Sequence, residues 1–441
     1  MLKKLFGLDR SRHSVKTEIV AGITTFVTMA YILAINPSIF ADLGNILGAD
    51  NGMPADAVFT ATALAAVVGT MIMAFYAKKP FGLAPGMGLN AFFVYTVCIS
   101  MGYSWRFALT AILIEGLIFI VLSATNVRNF IVDAFPDSLK RSIGVGIGFF
   151  IALIGLKNAG IVVADQSTAV ALGDFSSPAV LLALGSFIVT AALVLLRVKG
   201  GMLIAILLTT VVGIPLGVTQ FGGVVSAPPS VAPIFCQFEW SQVFSWDMLI
   251  VVFTFLFLDI FDTMGTVVGL AVKADMVDND GKMPGASRVF MADALATTVG
   301  ACLGTNTTTT YIESASGIAS GGRTGLTSFT IAVCFLLSLF FAPLFLAIPS
   351  AATGPVLAIV GVIMCSPVKG IDWEDFSESI PAFVTIFFMP FAYSISDGIM
   401  LGVITYVLLN VICGKYRKVN PTLAVLAVLF ILRYVFVQYL N

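Results

Sequence analysis

Two aspartates sit where a charged side chain is expensive. Asp259 and Asp262 lie within Thr254-Phe-Leu-Phe-Leu-Asp-Ile-Phe-Asp-Thr-Met-Gly-Thr266, in the middle of a long apolar segment, and their i,i+3 spacing puts both on one helix face. A carboxylate at membrane depth costs a few kcal/mol on insertion scales, so it normally faces a cavity and performs a task. Two of them one turn apart in a low dielectric cannot both ionise cheaply, which suits the pair to taking up and releasing a proton. Glu313 is a third acid in such surroundings, and its two acceptor oxygens match a planar solute with adjacent N–H donors. Asn90 can donate and accept at once, as a helix cap or as a solute contact. Glu115 and Asp293 also fall inside apolar segments, but neither adjoins a break in the hydrophobic pattern, and both read as packing residues.

The elements that must hold these groups are irregular. One break is Pro80-Phe-Gly-Leu-Ala-Pro-Gly-Met-Gly-Leu-Asn90; the other is Gly304-Thr-Asn-Thr-Thr-Thr-Thr-Tyr-Ile-Glu313-Ser-Ala-Ser-Gly. Gly and Pro interrupt a helix in the first, and the β-branched Thr run, which includes Thr309, prefers extended backbone in the second. Irregular backbone at membrane depth survives only where protein or a water-filled cavity satisfies its polar groups. The expected arrangement is an extended stretch followed by a half-helix in each break, with the helix N-termini aimed at a common cavity. The Gly82, Gly86, Gly88 spacing lacks the Lys-Ser/Thr ending of a phosphate loop and the βαβ setting of a dinucleotide fold.

Each break follows one copy of a repeat. Phe59-Thr-Ala-Thr-Ala-Leu-Ala-Ala-Val-Val-Gly69 aligns without gaps to Phe290-Met-Ala-Asp-Ala-Leu-Ala-Thr-Thr-Val-Gly300, with seven of eleven positions identical at an offset of 231. A weaker echo sets Pro136 and Gly148 against Pro349 and Gly361, at an offset of 213. About seven spans separate the copies, an odd number, so the second copy enters the membrane upside down, which is the inverted-repeat plan of secondary transporters.

Composition excludes a soluble fold: 59% of the 441 residues are hydrophobic, 11% are charged and 37 are Phe. Runs long enough to cross a hydrocarbon layer of roughly 30 Å recur from Thr17 to Leu440, among them Ala57–Ala77, Phe107–Ala124, Ala179–Arg197, Met248–Val272 and Leu326–Leu346. About fourteen segments are expected, with Pro421–Leu440 left over as a hydrophobic stretch. Lys and Arg collect in alternate loops, including Lys3, Lys4, Arg10, Arg12, Lys78, Lys79, Arg128, Lys140, Arg141, Lys282, Arg288, Lys415, Arg417 and Lys418, while loops 41–56, 217–245 and 347–350 have none. That bias sets the N-terminus on the cytoplasmic side of the cell inner membrane. No cleavable signal peptide is expected, because the first apolar run follows sixteen mostly polar or basic residues. A net charge of −1 offers no footprint for nucleic acid, the six scattered cysteines read as small buried hydrophobes, and the single His13 lies in the N-terminal tail. The loop Asp275-Met-Val-Asp-Asn-Asp-Gly-Lys-Met283 lacks the closing Glu of a calcium loop and reads as a solvated turn, so no metal is expected.

The chain resembles the azaguanine-resistance type of purine permease, a branch of the nucleobase/ascorbate transporter superfamily. The resemblance runs from Glu18-Ile-Val-Ala-Gly-Ile-Thr-Thr-Phe26 through Phe81-Gly-Leu-Ala-Pro-Gly-Met-Gly-Leu-Asn-Ala-Phe-Phe93 and Phe261-Asp-Thr-Met-Gly-Thr266 to Thr310-Tyr-Ile-Glu-Ser-Ala-Ser-Gly-Ile-Ala-Ser-Gly-Gly-Arg-Thr-Gly-Leu326. It implies an all-α polytopic fold of fourteen segments in two inverted sevens, with a core domain that carries solute and a gate domain that supports oligomerisation as a homodimer. It further implies proton symport of adenine, guanine, hypoxanthine or xanthine by an elevator-like movement. Asn90, Asp259, Asp262 and Glu313 match positions that such permeases use for binding and transport. The repeats are placed at 1–216 and 246–412, joined by an external loop 217–245 and followed by a basic turn and hydrophobic segment at 413–441. The core is drawn from 17–124 and 246–346, and the gate from 137–216 and 350–412.

The expected site therefore comprises Asn90, Asp259, Asp262, Glu313, Thr309, Gly88 and Phe26, with Phe26 or Phe93 stacking on the solute or merely packing. Glu313 accepts N–H bonds from the base, Asn90 completes the edge, and Asp259 binds the coupled proton with Asp262 raising its affinity. The proton is the coupling ion and no organic cofactor is needed. A uracil or anion carrier on the same fold is the nearest rival, although an anion carrier would favour a cationic group at the site. A channel or a transport-like receptor is a rival of another class, and an enzyme is disfavoured because no nucleophile–base pair or metal cluster lies at membrane depth.

Overall fold

The computed structural model describes residues 2–9, 13–125, 135–165, 167–277 and 283–440. Arg10, Arg12, Arg128 and Lys282 of the charge pattern lie outside the described residues, as does most of the loop read as a solvated turn. In chain order the helices are α1 (Leu2–Phe6), α2 (Val15–Met29), α3 (Ile32–Leu47), α4 (Ala55–Ile72), α5 (Met87–Ala91), α6 (Trp105–Ala124), α7 (Asp137–Asn158), α8 (Pro178–Leu195) and α9 (Gly201–Gly213). They continue with α10 (Trp246–Lys273), α11 (Ala286–Leu303), α12 (Ser314–Ala319), α13 (Gly325–Ser338), α14 (Ala342–Leu346), α15 (Ser350–Met364), α16 (Phe376–Phe391), α17 (Ile395–Ile412) and α18 (Pro421–Leu440). Among the described residues there are also four short strands: β1 (Leu83–Pro85), β2 (Val162–Asp165), β3 (Ala169–Leu172) and β4 (Thr308–Thr310). Among the described residues, ten helical stretches are long and apolar enough to cross a membrane. The leftover Pro421–Leu440 forms one continuous helix.

The chain divides into two compact units, Met1–Thr125 with Gly155–Leu357, and Asn126–Ile154 with Ala358–Asn441. In the first, both breaks fold as expected from their composition. β1 and β4 pair antiparallel in the register Leu83↔Thr310, Ala84↔Thr309 and Pro85↔Thr308, and each runs toward a short helix, α5 or α12. The other edge of each strand is covered by a threonine of the preceding long helix. The Leu83 N–H donates to Thr70 Oγ1 at 3.0 Å, and that hydroxyl donates back to the Leu83 carbonyl at 3.1 Å. Thr297 does the same for Thr308, accepting from its N–H at 3.3 Å and donating to its carbonyl at 3.1 Å. Protein groups thus take up strand backbone on both edges at this depth, the condition for irregular structure away from water.

Small residues let the long helices close around this ladder. A Cβ on Gly69 would stand 2.8 Å from the Ala296 Cβ, and one on Gly116 would stand 2.6 Å from Thr298 Oγ1. Gly304 ends α11 at φ +88°, a left-handed turn where a side chain would also meet the Ile234 carbonyl at 2.7 Å. In the second unit α16 packs on α17 through Gly398 and Gly402, and the echo pair Gly148 and Gly361 meet face to face. A Cβ on either would lie within 2.7 Å of the other's carbonyl oxygen.

Candidate functional site

α10 is a single 28-residue helix, so Asp259, Asp262 and Thr263 are held on one rigid rod. β4 crosses beside it, α11 lies beneath β4, and Glu313 is the residue that opens α12. Thr263 is the hub of the resulting cluster. Its hydroxyl is 2.7 Å from Asp293 Oδ2, 2.8 Å from Thr309 Oγ1 and 3.3 Å from Asp259 Oδ1. Thr310 donates to the other Asp293 oxygen at 2.8 Å. Asp259 and Asp293 are both 0% exposed.

This geometry corrects two expectations. Asp293 does adjoin an interruption, because α11 runs directly under β4 and presents Asp293 to the Thr310 hydroxyl. Glu115 on α6, likewise 0% exposed, lies beside Asp259 and Thr307. Both acids that read as packing residues therefore belong to the cluster. The Asp259–Asp262 pair also separates into two environments: Asp259 is sealed among Glu115, Thr263 and Asp293, whereas Asp262 is exposed and neighbours Glu313 and Tyr311.

Glu313 is half-buried, and the Tyr31 hydroxyl donates to its Oε1. Across the strand pair, Gly86 caps α5: its N–H donates to the Thr307 carbonyl at 2.9 Å, and its carbonyl accepts from Asn306 Nδ2 at 2.9 Å. The Tyr311 hydroxyl donates to the Pro85 carbonyl at 2.5 Å. Asn90 lies inside α5, one turn beyond the cap, so the capping role falls to Gly86. Its amide is 0% exposed, and neither Nδ2 nor Oδ1 has a hydrogen-bond partner among the described residues. A buried amide left so costs free energy, and the Glu115 carboxyl oxygens, Asp259 Oδ2 and Asn306 Oδ1 nearby are likewise without partners among the described residues.

A protein-family model described as a permease family matches residues 16–426. The chain belongs to that permease family. It is 43% identical over 446 residues to the guanine/hypoxanthine permease PbuG of Bacillus subtilis, covering 99% of this chain and 100% of that one. It is 39% identical over 437 residues to the adenine permease AdeQ of Escherichia coli, covering 99% and 97%. The fold is similar to the transmembrane domain of the cyanobacterial bicarbonate transporter BicA, with a TM-score of 0.61 at 17% identity over 89% of this chain and 97% of that one. SLC26A9 gives a TM-score of 0.62 at 14% identity, covering 93% and 68%. These two likenesses concern the fold alone.

Within this multi-pass permease the remaining expected site residues are placed as follows. Thr309 sits in β4 with its hydroxyl on Thr263, and Gly88 lies half-buried in α5. Phe26 meets Phe335 edge-on at 5.1 Å, and Phe93 tilts against Phe40 at 4.9 Å, so both rings are engaged in packing. Sequence reasoning missed Tyr31, Thr263, Thr310 and Asn306. Their signal was a hydroxyl or amide inside or beside an apolar run, weak in a chain whose helices contain many threonines bonded to their own helix backbone, as Thr190, Thr209 and Thr210 show.

Proposed function

We propose that this permease carries a purine nucleobase across the cytoplasmic membrane together with a proton. The observation that carries the reading is the unpartnered Asn90 amide on one short helix and the Tyr31-oriented Glu313 carboxyl at the start of the other, both following the same strand pair. An amide offers one donor and one acceptor edge, and a carboxylate accepts two N–H bonds, a set complementary to the mixed donor–acceptor edges of a purine ring. The permeases named for guanine, hypoxanthine and adenine, aligned over nearly the whole chain, support that cargo.

Hydrogen counting supports Asp259 as the proton carrier. Thr263 has one hydroxyl hydrogen, and its shorter carboxylate contact is to Asp293 at 2.7 Å against 3.3 Å to Asp259. With that hydrogen on Asp293, the Asp259–Thr263 contact has no hydrogen of its own unless Asp259 carries one, which supports Asp259 as the group that loads the proton. No cation forms an ion pair with the cluster among the described residues, so adding a proton with the solute lowers the buried charge. Asp262, beside Glu313 and open, orders the solute side.

The reading extends to two inverted seven-segment repeats, a core that moves against a gate in an elevator-like cycle, a homodimer, and an N-terminus in the cytoplasm. The opposed strands β1 and β4, each after a matched helix and before a short one, support the inversion. The test is uptake of labelled adenine, guanine, hypoxanthine and uracil by cells lacking their own permeases, with and without a proton uncoupler. Saturable, uncoupler-sensitive uptake of a purine is expected. In the Asp259→Asn variant, exchange of internal for external base is expected to persist while accumulation is lost; accumulation by that variant defeats the proton assignment.

A further inference from the structure

Glu18, in the first turn of α2, is 1% exposed and has no ion-pair partner among the described residues, yet no step above uses it. Its carboxylate receives three donors from the turn that follows α12 and the first turn of α13. The backbone N–H of Arg323 donates to Oε1 at 3.1 Å, that of Thr324 donates to Oε2 at 3.2 Å, and the Thr327 hydroxyl donates to Oε2. Arg323 in turn caps the end of α12, its Nη1 donating to the carbonyls of Ile318 at 2.6 Å and Gly322 at 2.9 Å.

The opposite end of α12 is held by the same stretch of chain. Tyr31, just past α2, donates to Glu313 Oε1, and Thr28 reaches the Glu313 carbonyl at 3.5 Å. Between the two ends α12 meets α2 at a glycine, with no side chain on the α12 side of the contact. A Cβ on Gly317 would stand 2.1 Å from Thr25 Oγ1 and 2.6 Å from the Ala21 carbonyl. A six-residue helix has too few internal hydrogen bonds to hold its own direction, so its orientation is set by whatever grips its ends.

We infer that Glu18 is a positioning residue for solute recognition: with Tyr31 it clamps α12 at both ends, and so fixes the direction in which the Glu313 carboxyl is presented. This rests on the purine reading above for its effect on affinity, but the clamp itself does not. An acid is required because a single carboxylate can receive two adjacent backbone N–H groups and a hydroxyl together. Gln offers one acceptor oxygen and places an N–H₂ group against donors.

The test uses the purified full chain and the Glu18→Gln variant, with hydrogen–deuterium exchange and direct binding as separate readouts. Amides of 314–322 are expected to exchange about tenfold faster in the variant, with 87–91 unchanged. Unchanged exchange at 314–322 overturns the clamp whatever the cargo. The Kd for hypoxanthine or adenine is expected to weaken by about tenfold, while a ring-N-methylated base that cannot donate to Glu313 loses nothing further. An equal loss for the methylated base, or no loss for either, overturns the positioning role. If the wild-type chain binds no purine while exchange at 314–322 still responds, the cargo reading falls and the clamp stands. Should Glu18→Gln fail to fold, Thr327→Val removes one donor only, and the same selectivity between bases is expected at about threefold.

Discussion

Thr62 and Asp293 occupy the same place in the two matched helices, and the molecule uses them in opposite ways. Thr62 accepts from Asn36 Nδ2 at 2.6 Å, a neutral amide–hydroxyl bond that ties α3 to α4. Asp293 puts a carboxylate at the equivalent point and draws in Thr263 at 2.7 Å and Thr310 at 2.8 Å. The same asymmetry extends outward. The first copy leads to a Gly- and Pro-rich break and an unpartnered Asn90, whereas the second leads to a threonine strand and Glu313. The first copy therefore supplies backbone, an open amide and one acid of the cluster, Glu115, and the second supplies Asp259, Asp262, Asp293 and Glu313. A repeat fixes where helices, strand and short helix fall, and leaves each position open to a different chemistry.

If the second copy carries most of the charge by design, removing it at Asp293 should be far more damaging than disturbing the matched site at Thr62. Asp293→Asn keeps the volume but turns one acceptor oxygen into a donor facing a hydroxyl. It also breaks the hub that holds Thr263 between Asp293 and Asp259. Concentrative purine uptake is expected to fall by about 100-fold with the protein still folded, since a buried group facing the wrong partner costs roughly 2–3 kcal/mol. Uptake rates in vesicles, normalised to purified protein, check this; near wild-type accumulation would show that Asp293 only packs.

The middle of the comparison is Asn90, the polar contribution of the first copy. Asn90→Ala removes an amide that no protein group satisfies, so the empty protein should become slightly more stable, not less. The KM for the base is expected to rise about tenfold while the thermal midpoint holds or rises, because the lost bonds are made only with solute bound. A fall in the midpoint together with an unchanged KM would make Asn90 a structural residue after all.

Much of this arrangement was legible in the residues. Pro80 and Pro85 and the Thr307–Thr310 run announced extended backbone, and both breaks contain the short strands, because composition there leaves the chain few alternatives. Asp259 and Glu313 stood out because ionisable groups are rare in apolar segments. The limits were of a different kind. Helical spacing placed Asp259 and Asp262 on one face, but an i,i+3 step still turns a side chain by about 60°. At this site that turn separates a sealed carboxyl from an exposed one. Asp293 and Glu115 were misjudged because nearness to a break was measured along the chain, while α11 and α6 reach the cluster through packing. Glu18, at the far end of α2 from Tyr31, gave no local sign of its grip on a turn some three hundred residues away.

The smallest expected effect makes the sharpest control. Thr62→Val is nearly isosteric and deletes the hydroxyl that Asn36 uses, but Asn36 Nδ2 also lies 3.1 Å from Thr305 Oγ1 and keeps that partner. The cost should be about 1 kcal/mol of stability, seen as a modest fall in thermal midpoint, with KM and accumulation unchanged within about twofold. The reasoning is that a neutral bond with a second acceptor at hand can be lost without stranding a charge, whereas its counterpart at Asp293 cannot. If Thr62→Val instead raised KM by tenfold or more, the first copy would be shaping the solute site through α3, which carries Asn36 and begins next to Tyr31. The division of labour between the copies would then be one of degree, with helix position carrying as much of the recognition as charge.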